Sequence, residues 1–357
     1  MIFTIFDIME QSGTFMTECS YYRKREAERV QCLLCPHSCS IPGGGTGLCG
    51  VRHNIEGMLM TNTFSHISSL SADPVEKKPL YHFYPGSSIY SVGSYGCNLT
   101  CSFCQNHEIS QVRNVAYQTR SGRRESIERI LEAAEATPGN VGLAFTYNEP
   151  VVWIEFVLEL ALAAAGRGMK TAMVSNGFIN SAPLTDLTAM VDAFNIDLKG
   201  FSEKFYREHT GGRLKPVLES IAQIAAAQRH LEITMLVIEG LNDDDRDIED
   251  AFRWIADNAG RETPLHLSRY FPRYRMNLPP TDVNKLLRMR EMAMQYLDFV
   301  YTGNLPFSAG QNTHCPRCGN LITTRDGYIV TQTGVRPDGS CAACGREIYH
   351  NFAEWQR

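Results

Sequence analysis

Between residues 88 and 297 the chain alternates short apolar runs with longer amphipathic stretches. The runs at 88–94, 141–145, 170–175, 194–198, 231–238 and 264–267 predict strands. Helical spacing predicts helices over 125–136, 151–165, 182–191, 215–229, 247–259 and 282–297. Strands that are apolar throughout, rather than at every second position, belong to parallel sheets covered on both faces. Six strands, each followed by a helix and wound with right-handed crossovers, predict an α/β fold with a partial (β/α)6 barrel of the TIM type. An open doubly wound sheet is the alternative, although no G-x-G-x-x-G follows the first strand.

In such a barrel the working groups sit at the C-terminal strand ends, and polar residues do collect there. Cys97, Cys101 and Cys104 follow the first predicted strand, and Thr146-Tyr147-Asn148-Glu149-Pro150 follows the second. Ser175-Asn176-Gly177 closes the third, Asp197-Leu198-Lys199 the fourth, and Glu239-Gly240-Leu241-Asn242-Asp243 the fifth. His266 lies on the sixth strand, with Arg269 and Tyr270 just beyond. Ordinary loop polarity accounts for one or two such clusters and poorly for six.

Eleven of the twelve cysteines form three groups. The central one, Cys97-x3-Cys101-x-Phe103-Cys104, packs three thiolates into eight residues. Soft thiolates select zinc or iron–sulfur, and a loop this tight leaves one corner of a four-iron cube open to a small molecule. A three-ligand zinc site or three buried structural cysteines is the competing reading. The first group, Cys32, Cys35, Cys39 and Cys49, is threaded with glycines that let the backbone curl around a metal. It suits a closed zinc site or an auxiliary 4Fe–4S cluster, and the sequence does not choose. His37 and His53 stand nearby, but four thiolates already complete a site. The third group, Cys315, Cys318, Cys341 and Cys344, forms two C-x2-C-G knuckles flanking a polar, hairpin-like stretch. It reads as a zinc ribbon or rubredoxin-like module, with zinc favoured over a redox iron. Cys19 is left unassigned.

The strings CNLTCSFCQNHEIS (97–110), Tyr147-Asn148-Glu149-Pro150, Asp197-Leu198-Lys199-Gly200, Tyr301-Thr302-Gly303-Asn304 and the C-terminal Cys-Pro-x-Cys-Gly knuckle carry a family resemblance. So does the N-terminal Cys-Pro-His-x-Cys segment with its Cys49-Gly50-Val51-Arg52 ending. The chain resembles radical S-adenosylmethionine (SAM) enzymes of the pyruvate formate-lyase activating type. More closely it looks like the radical SAM component of the AmmeMemoRadiSam system. The resemblance implies that Cys97, Cys101 and Cys104 ligate a 4Fe–4S cluster whose fourth iron is chelated by SAM. It places Phe103 beside the adenine, and Asn148 and Glu149 at the SAM amino group. Lys199 would pair with the SAM carboxylate, Asp197 with the ribose or Lys199, and Ser175 and Asn176 with the ribose or methionyl group. His266 is a candidate on the adenine side. Two departures stand out: Tyr147-Asn148 replaces a pair of glycines, and Phe271-Pro272 stands near the family's adenine-side histidine.

The implied reaction is reductive cleavage of SAM to methionine and a 5′-deoxyadenosyl radical, driven by a low-potential ferredoxin or flavodoxin. The radical would abstract hydrogen from a protein substrate of glycyl-radical type. A small-molecule substrate is the alternative, and a non-catalytic electron-transfer or metal-scaffold protein is a third reading. Memo-type and AMMECR-type partner proteins are implied by the resemblance alone.

Composition narrows the picture in three respects. A net charge of −5 gives no reason to expect a nucleic-acid partner. Paired cysteines in a chain of 357 residues favour metal binding in a reducing, cytoplasmic setting over a disulfide framework. The apolar first nine residues carry Asp7 and are too short for a membrane span, so residues 1–18 are expected to form a disordered extension, with Met16 an alternative start. The expected organisation is then a four-cysteine segment over 19–86, the barrel over 87–308 and a four-cysteine module over 309–357.

Overall fold

The computed structural model describes residues 9–11, 14–112, 123–305 and 309–352. Its centre is an eight-stranded sheet. The first four strands are β1 (Ser69–Pro74), β2 (Ser88–Gly93), β3 (Asn140–Phe145) and β4 (Lys170–Ser175). The other four are β5 (Ala193–Asp197), β6 (His230–Val237), β7 (Leu265–Arg269) and β8 (Val300–Gly303). Every strand pairs with its neighbour in the chain, from β8 in sequence to β1. Strands β2 to β8 run parallel, and β1 lies antiparallel to β2 at the edge. A doubly wound sheet reverses its strand order at a switch point, and this sheet never does. The winding is that of a barrel. Its edge strands β1 and β8 are not paired with each other among the described residues, so the barrel is partial.

Six helices pack around the sheet: α1 (Ile127–Glu135), α2 (Ile154–Gly166), α3 (Ser181–Met190), α4 (Leu214–Ala226), α5 (Asp245–Asn258) and α6 (Val283–Ala293). Their starts follow from capping. Ser126 accepts from the backbone N–H of Arg129, and Asp282 from that of Asn284. Helix α5 begins before position 247 because Asp244 accepts from Arg246 N at 3.1 Å and Asp247 N at 3.2 Å. With helices outside, five of the six residues of β3 are buried, which is why the strand reads as a continuous apolar run.

The expected six strands are thus joined by two more. Strand β8 has only four residues (VYTG), too few to give a period. Strand β1 (SLSADP) is a half-buried edge strand with little apolar content, so the sheet starts at residue 69 rather than 87. Part of the expected disordered extension is paired: Met9–Gln11 lies against Thr14–Glu18, whose Thr17 and Glu18 pair with Thr61 and Met60. Residues 1–8 and 12–13 of that extension lie outside the described residues. No helix among the described residues is long and apolar enough to cross a membrane.

The two outer cysteine segments sit at opposite ends of the barrel. The N-terminal one rests on the C-terminal strand ends, where Asn180 Nδ2 donates to Leu33 O at 2.7 Å and His37 Nε2 lies 2.7 Å from Asn98 O. Its Arg52 pairs with Glu155 of α2 through Nη2 at 2.7 Å, both side chains being 1% exposed. The C-terminal module covers the other end. Buried Arg325 donates to Tyr81 O at 2.9 Å and Thr313 Oγ1 at 2.8 Å, and Tyr301, Cys315, Cys341 and Tyr349 share an apolar cluster.

Strand β3 approaches β4 closely enough to require a glycine. Gly142 has φ +154°, and a Cβ there would fall 1.8 Å from the carbonyl oxygen of Lys170. Backbone cannot yield that distance without breaking the β3–β4 ladder. Gly142→Ala should cost more than about 3 kcal/mol in unfolding free energy, read by urea denaturation of the full chain.

Candidate active site

The loop after β2 carries the three central cysteines and is fixed from several sides. Thr100 N donates to Thr210 O at 2.8 Å and Ser102 N to His209 O at 3.0 Å, tying the loop to the turn after β5. Arg275 N donates to Ser102 O at 3.0 Å, and Gln111 Nε2 to Leu99 O at 2.9 Å. The loop borders a cavity of about 570 Å³ at the C-terminal ends of the strands.

Nearly every residue expected at the site lines this cavity: Cys97, Cys101, Cys104, Phe103, Asn148, Glu149, Ser175, Asn176, Asp197 and Lys199. Phe103 is buried and stacks on Phe205 with ring centroids 6.0 Å apart. Asn148 spends its amide on the loop, accepting from Ser94 N at 2.9 Å and donating to Gly96 O at 3.0 Å. It therefore orients the turn into the cysteines.

Glu149 is fully buried and caps the 3-10 turn Pro150–Trp153, accepting from Val151 N at 3.1 Å. It also accepts from Ser175 Oγ at 2.8 Å and Asn176 N at 2.9 Å. Burial pushes its carboxyl up to about 7, while these three donors and Lys199 pull it down. Asn176 reaches further: its Nδ2 donates to Asn98 Oδ1 at 2.9 Å and lies 3.6 Å from Cys97 Sγ. Ser175 and Asn176 thus hold the carboxylate and the cysteine loop in one network. Across the cavity Lys199 Nζ lies 3.0 Å from Asp197 Oδ2. Burial opposes the lysine's charge, but Asp197 and Cys101 outweigh it and hold its pKa above the ordinary value. Burial also raises the Cys97 and Cys101 thiols, Cys101 to about 11 against the pull of Lys199. A metal that loads this loop must therefore displace protons.

His266 is a correction. It is buried on β7 with Nε2 2.6 Å from Glu232 Oε2, and it does not line the cavity. Glu232 also accepts from Tyr81 N at 3.0 Å and His82 N at 2.7 Å, and lies 2.9 Å from His230 Nε2. Burial disfavours the charge of Glu232, but His230 and His266 hold it well below the usual carboxylate range. Residues two apart on a strand share a face, so Ser268 reaches the cavity while His266, two residues earlier on the same face, sits one layer deeper.

Several lining residues carried no motif. Lys78, Lys77, Thr234 and Ser268 are among them. Asp73 of β1 gathers Lys77 Nζ at 2.8 Å, Lys78 Nζ at 2.6 Å and Tyr147 Oη at 2.6 Å. The only sequence signal was the polarity of β1, which hid the strand itself. Tyr147, standing where the family pattern has glycine, adopts φ +73°. The backbone conformation of a glycine is kept and its side chain turns toward Asp73.

Among the described residues, Cys315, Cys318, Cys341 and Cys344 alone form a group whose ligand atoms all lie within 4.8 Å of one another. The Cys315–Cys344 and Cys318–Cys341 sulfurs are 3.5 Å and 3.7 Å apart. A tetrahedron of sulfurs about 2.3 Å from zinc has edges of about 3.8 Å. This quartet fits one metal ion. The three-cysteine loop does not gather its sulfurs around a single ion, which weakens the three-ligand zinc reading.

The parallel α/β barrel thus gathers a thiolate loop, a buried carboxylate and a lysine around one mouth. The radical SAM superfamily pattern matches residues 91–255. An uncharacterized protein of Methanocaldococcus jannaschii is 37% identical over 340 residues, 93% of this chain and 99% of that protein. The pyruvate formate-lyase 1-activating enzyme of Escherichia coli K12 is 23% identical over 159 residues, 42% of this chain and 61% of that enzyme. The (2S)-3-sulfopropanediol dehydratase activating enzyme of Klebsiella oxytoca is 22% identical, over 39% of this chain and 45% of that enzyme. Streptococcus suis SuiB bound to S-adenosylmethionine aligns in structure with TM-score 0.48 and 16% identity, over 65% of this chain and 54% of that one. The chain belongs to the radical SAM superfamily and is homologous to the activating enzymes of glycyl-radical systems. It spans between 45% and 61% of the two activating enzymes. The family implies a 4Fe–4S cluster and SAM. The donor set fits both: three thiolates for the irons, with a carboxylate and an ammonium bordering the same cavity.

The C-terminal quartet is separable from this cavity. Cys318→Ser should remove about one metal ion per chain, seen by elemental analysis, and lower the melting temperature. Iron bound at the three-cysteine loop should be unchanged.

Proposed function

We propose that this protein is an activating-enzyme-like radical SAM enzyme that abstracts hydrogen from a protein segment. The observation that carries the reading is the convergence of Cys97, Cys101, Cys104, Glu149 and Lys199 on one cavity at the C-terminal strand ends. When bound, cluster and SAM supply one-electron cleavage of the sulfonium, giving methionine and a 5′-deoxyadenosyl radical. A low-potential ferredoxin or flavodoxin is the proposed electron donor.

The chain's residues perform the binding and orientation. Glu149, held by Ser175 and Asn176, accepts the SAM ammonium as a charge-assisted hydrogen bond. Lys199, flanked by Asp197, pairs with the SAM carboxylate, and Asp197 is free to accept from the ribose through its other oxygen. Phe103 offers an apolar face for the adenine. In this reading Asn148 acts on the loop backbone, and Ser175 and Asn176 act on SAM through Glu149. The walls exclude water and oxygen from the reacting centre.

The protein-substrate assignment draws support from curated relatives that are named as activating enzymes. The C-terminal metal module lies at the opposite end of the barrel from the cavity, so substrate docking falls to the cavity rim and the N-terminal segment. We assign zinc to that module because its sulfur spacing fits a single ion and a closed four-thiolate site suits a structural metal. Membership of the AmmeMemoRadiSam system, with Memo-type and AMMECR-type partners, rests on the sequence motifs.

Anaerobic reconstitution with iron, sulfide, dithionite and SAM should yield 5′-deoxyadenosine, and Cys97→Ala/Cys101→Ala/Cys104→Ala should yield none. An intact cluster without 5′-deoxyadenosine overturns the enzyme reading. With extract from cells grown in deuterated medium, deuterium should pass into 5′-deoxyadenosine from the macromolecular fraction. Transfer from the low-mass fraction alone would replace the protein substrate with a small molecule.

The Glu149 carboxyl also sets a pH dependence. Its folded pKa of about 7 exceeds the unfolded 4.5, so the group's contribution to stability is present below 4.5 and is lost as pH rises through 7. SAM binding runs the other way, because the ammonium needs the ionised form. Affinity should fall as pH drops below 7. Glu149→Gln should weaken SAM binding by about 10- to 100-fold at pH 8 and flatten the profile, measured by equilibrium binding.

A further inference from the structure

Four thiols outside the active-site cavity surround a second, enclosed one. Cys32, Cys35, Cys39 and Cys49 line it, together with Arg52 and His37. The imidazole of His37 is engaged elsewhere, with Nε2 2.7 Å from Asn98 O. The four sulfurs are left as the ligand set.

Their spacing differs from that of the C-terminal quartet. No three of these sulfurs lie within 4.8 Å of one another, the separation that the C-terminal four satisfy in the same molecule. A single tetrahedral zinc draws its sulfurs to about 3.8 Å, whereas a four-iron cube takes each cysteine at a separate corner. The thiols ring a gap instead of closing on a point.

Arg52 supplies an independent observation. Its side chain is 1% exposed, and Nη2 donates to Glu155 at 2.7 and 2.8 Å. Its Nε and Nη1 are buried with no hydrogen-bond partner among the described residues. A buried charged donor left without an acceptor loses its hydration with nothing in return. Because Arg52 lines the same gap as the four thiols, sulfur acceptors in that gap would satisfy both nitrogens. One thiolate site with a metal core carries net negative charge, which a guanidinium offsets.

The gap also abuts the three-cysteine loop. A Cβ on Gly96 would fall 2.7 Å from Cys49 O, and Cys49 and Cys97 border one shared cleft.

We propose that Cys32, Cys35, Cys39 and Cys49 hold a second 4Fe–4S cluster, with Arg52 donating hydrogen bonds to its sulfurs, set directly against the three-cysteine loop. The proposal rests on the radical SAM reading for the nature of its neighbour and on its own residues for the cluster. Hydrogen bonds to cluster sulfurs raise the reduction potential, so Arg52 tunes the cluster as a positioning and electrostatic group.

The test uses the full chain purified anaerobically, with Mössbauer and elemental analysis. Cys97→Ala/Cys101→Ala/Cys104→Ala should keep about four iron atoms per chain, half the wild-type content, as a 4Fe–4S species. Adding Cys32→Ala and Cys35→Ala should remove that iron and leave the C-terminal metal. A triple variant with no iron, whether it holds a second zinc or nothing at the N-terminal site, overturns the proposal. In dithionite-reduced wild type the two clusters should broaden each other's EPR signals, and the triple variant should show a single narrow signal. Unbroadened wild-type signals overturn the stated adjacency. Arg52→Lys keeps the charge opposite Glu155 but removes the unpartnered donors. It should lower the midpoint potential of the cluster retained by the triple variant, and an unchanged potential overturns the role of Arg52. If the triple variant keeps its cluster while wild type cleaves no SAM, the activity falls and the second cluster stands.

Discussion

The buried carboxylate of Glu149 is the joint on which the active end of this barrel depends. An acid removed from water must be given donors, and the chain supplies them from three places: Val151 at the start of a 3-10 turn, Ser175 at the end of β4, and the Asn176 backbone. Asn176 then reaches Asn98 and approaches Cys97, while Asn148, beside the carboxylate in sequence, fixes Ser94 and Gly96. The ends of β2, β3 and β4 are therefore registered to one another through one polar network. Its members are satisfied without a ligand, so the shape of the cavity and the placement of its polar groups are preorganised.

A second buried charge joins the N-terminal segment to this end. The Arg52–Glu155 pair brings together residues separated by about a hundred positions and both 1% exposed. Such a pair contributes little net stability, since desolvation offsets most of the attraction, but removing one partner leaves an isolated charge and is severe. Its consequence is geometric. It pins the segment carrying Cys32 to Cys49 onto α2, which starts just beyond Glu149. Cys49 and Cys97, from the two groups, border one cleft beside this pinned segment. The C-terminal quartet, by contrast, is tied through Arg325 and Tyr301 to the far end, and its ligand atoms all lie within 4.8 Å of one another.

Much of the architecture was legible because its causes are local or periodic. Continuous apolar runs marked β2 to β7, and the strand order follows the chain, so no rearrangement hid the topology. The residues that line the cavity were legible because a parallel barrel delivers the residues after each strand to one face. What escaped had weak local signal. Strand β8 is too short for a period, and β1 is a polar edge strand, so Lys77, Lys78 and Asp73 were not connected to the cavity. His266 was placed on the correct strand and at the wrong depth. His266 and Ser268 face the same way from β7, but Ser268 lies at the mouth and His266 one layer below it against Glu232, a partner 34 positions away.

The sequence alone determined the three cysteine groups, the alternation of strand and helix, and the order in which functional residues leave the strands. Those properties are written in spacing and periodicity, and spacing is conserved on folding. Tertiary structure decided which groups face one another. It set the donors around Glu149, the retreat of His266, the unpartnered nitrogens of Arg52 beside four open thiols, and the contrast between that ring and the closed C-terminal quartet. These depend on distances between residues far apart in the chain, which buried charges and close backbone contacts fix only once the barrel has formed.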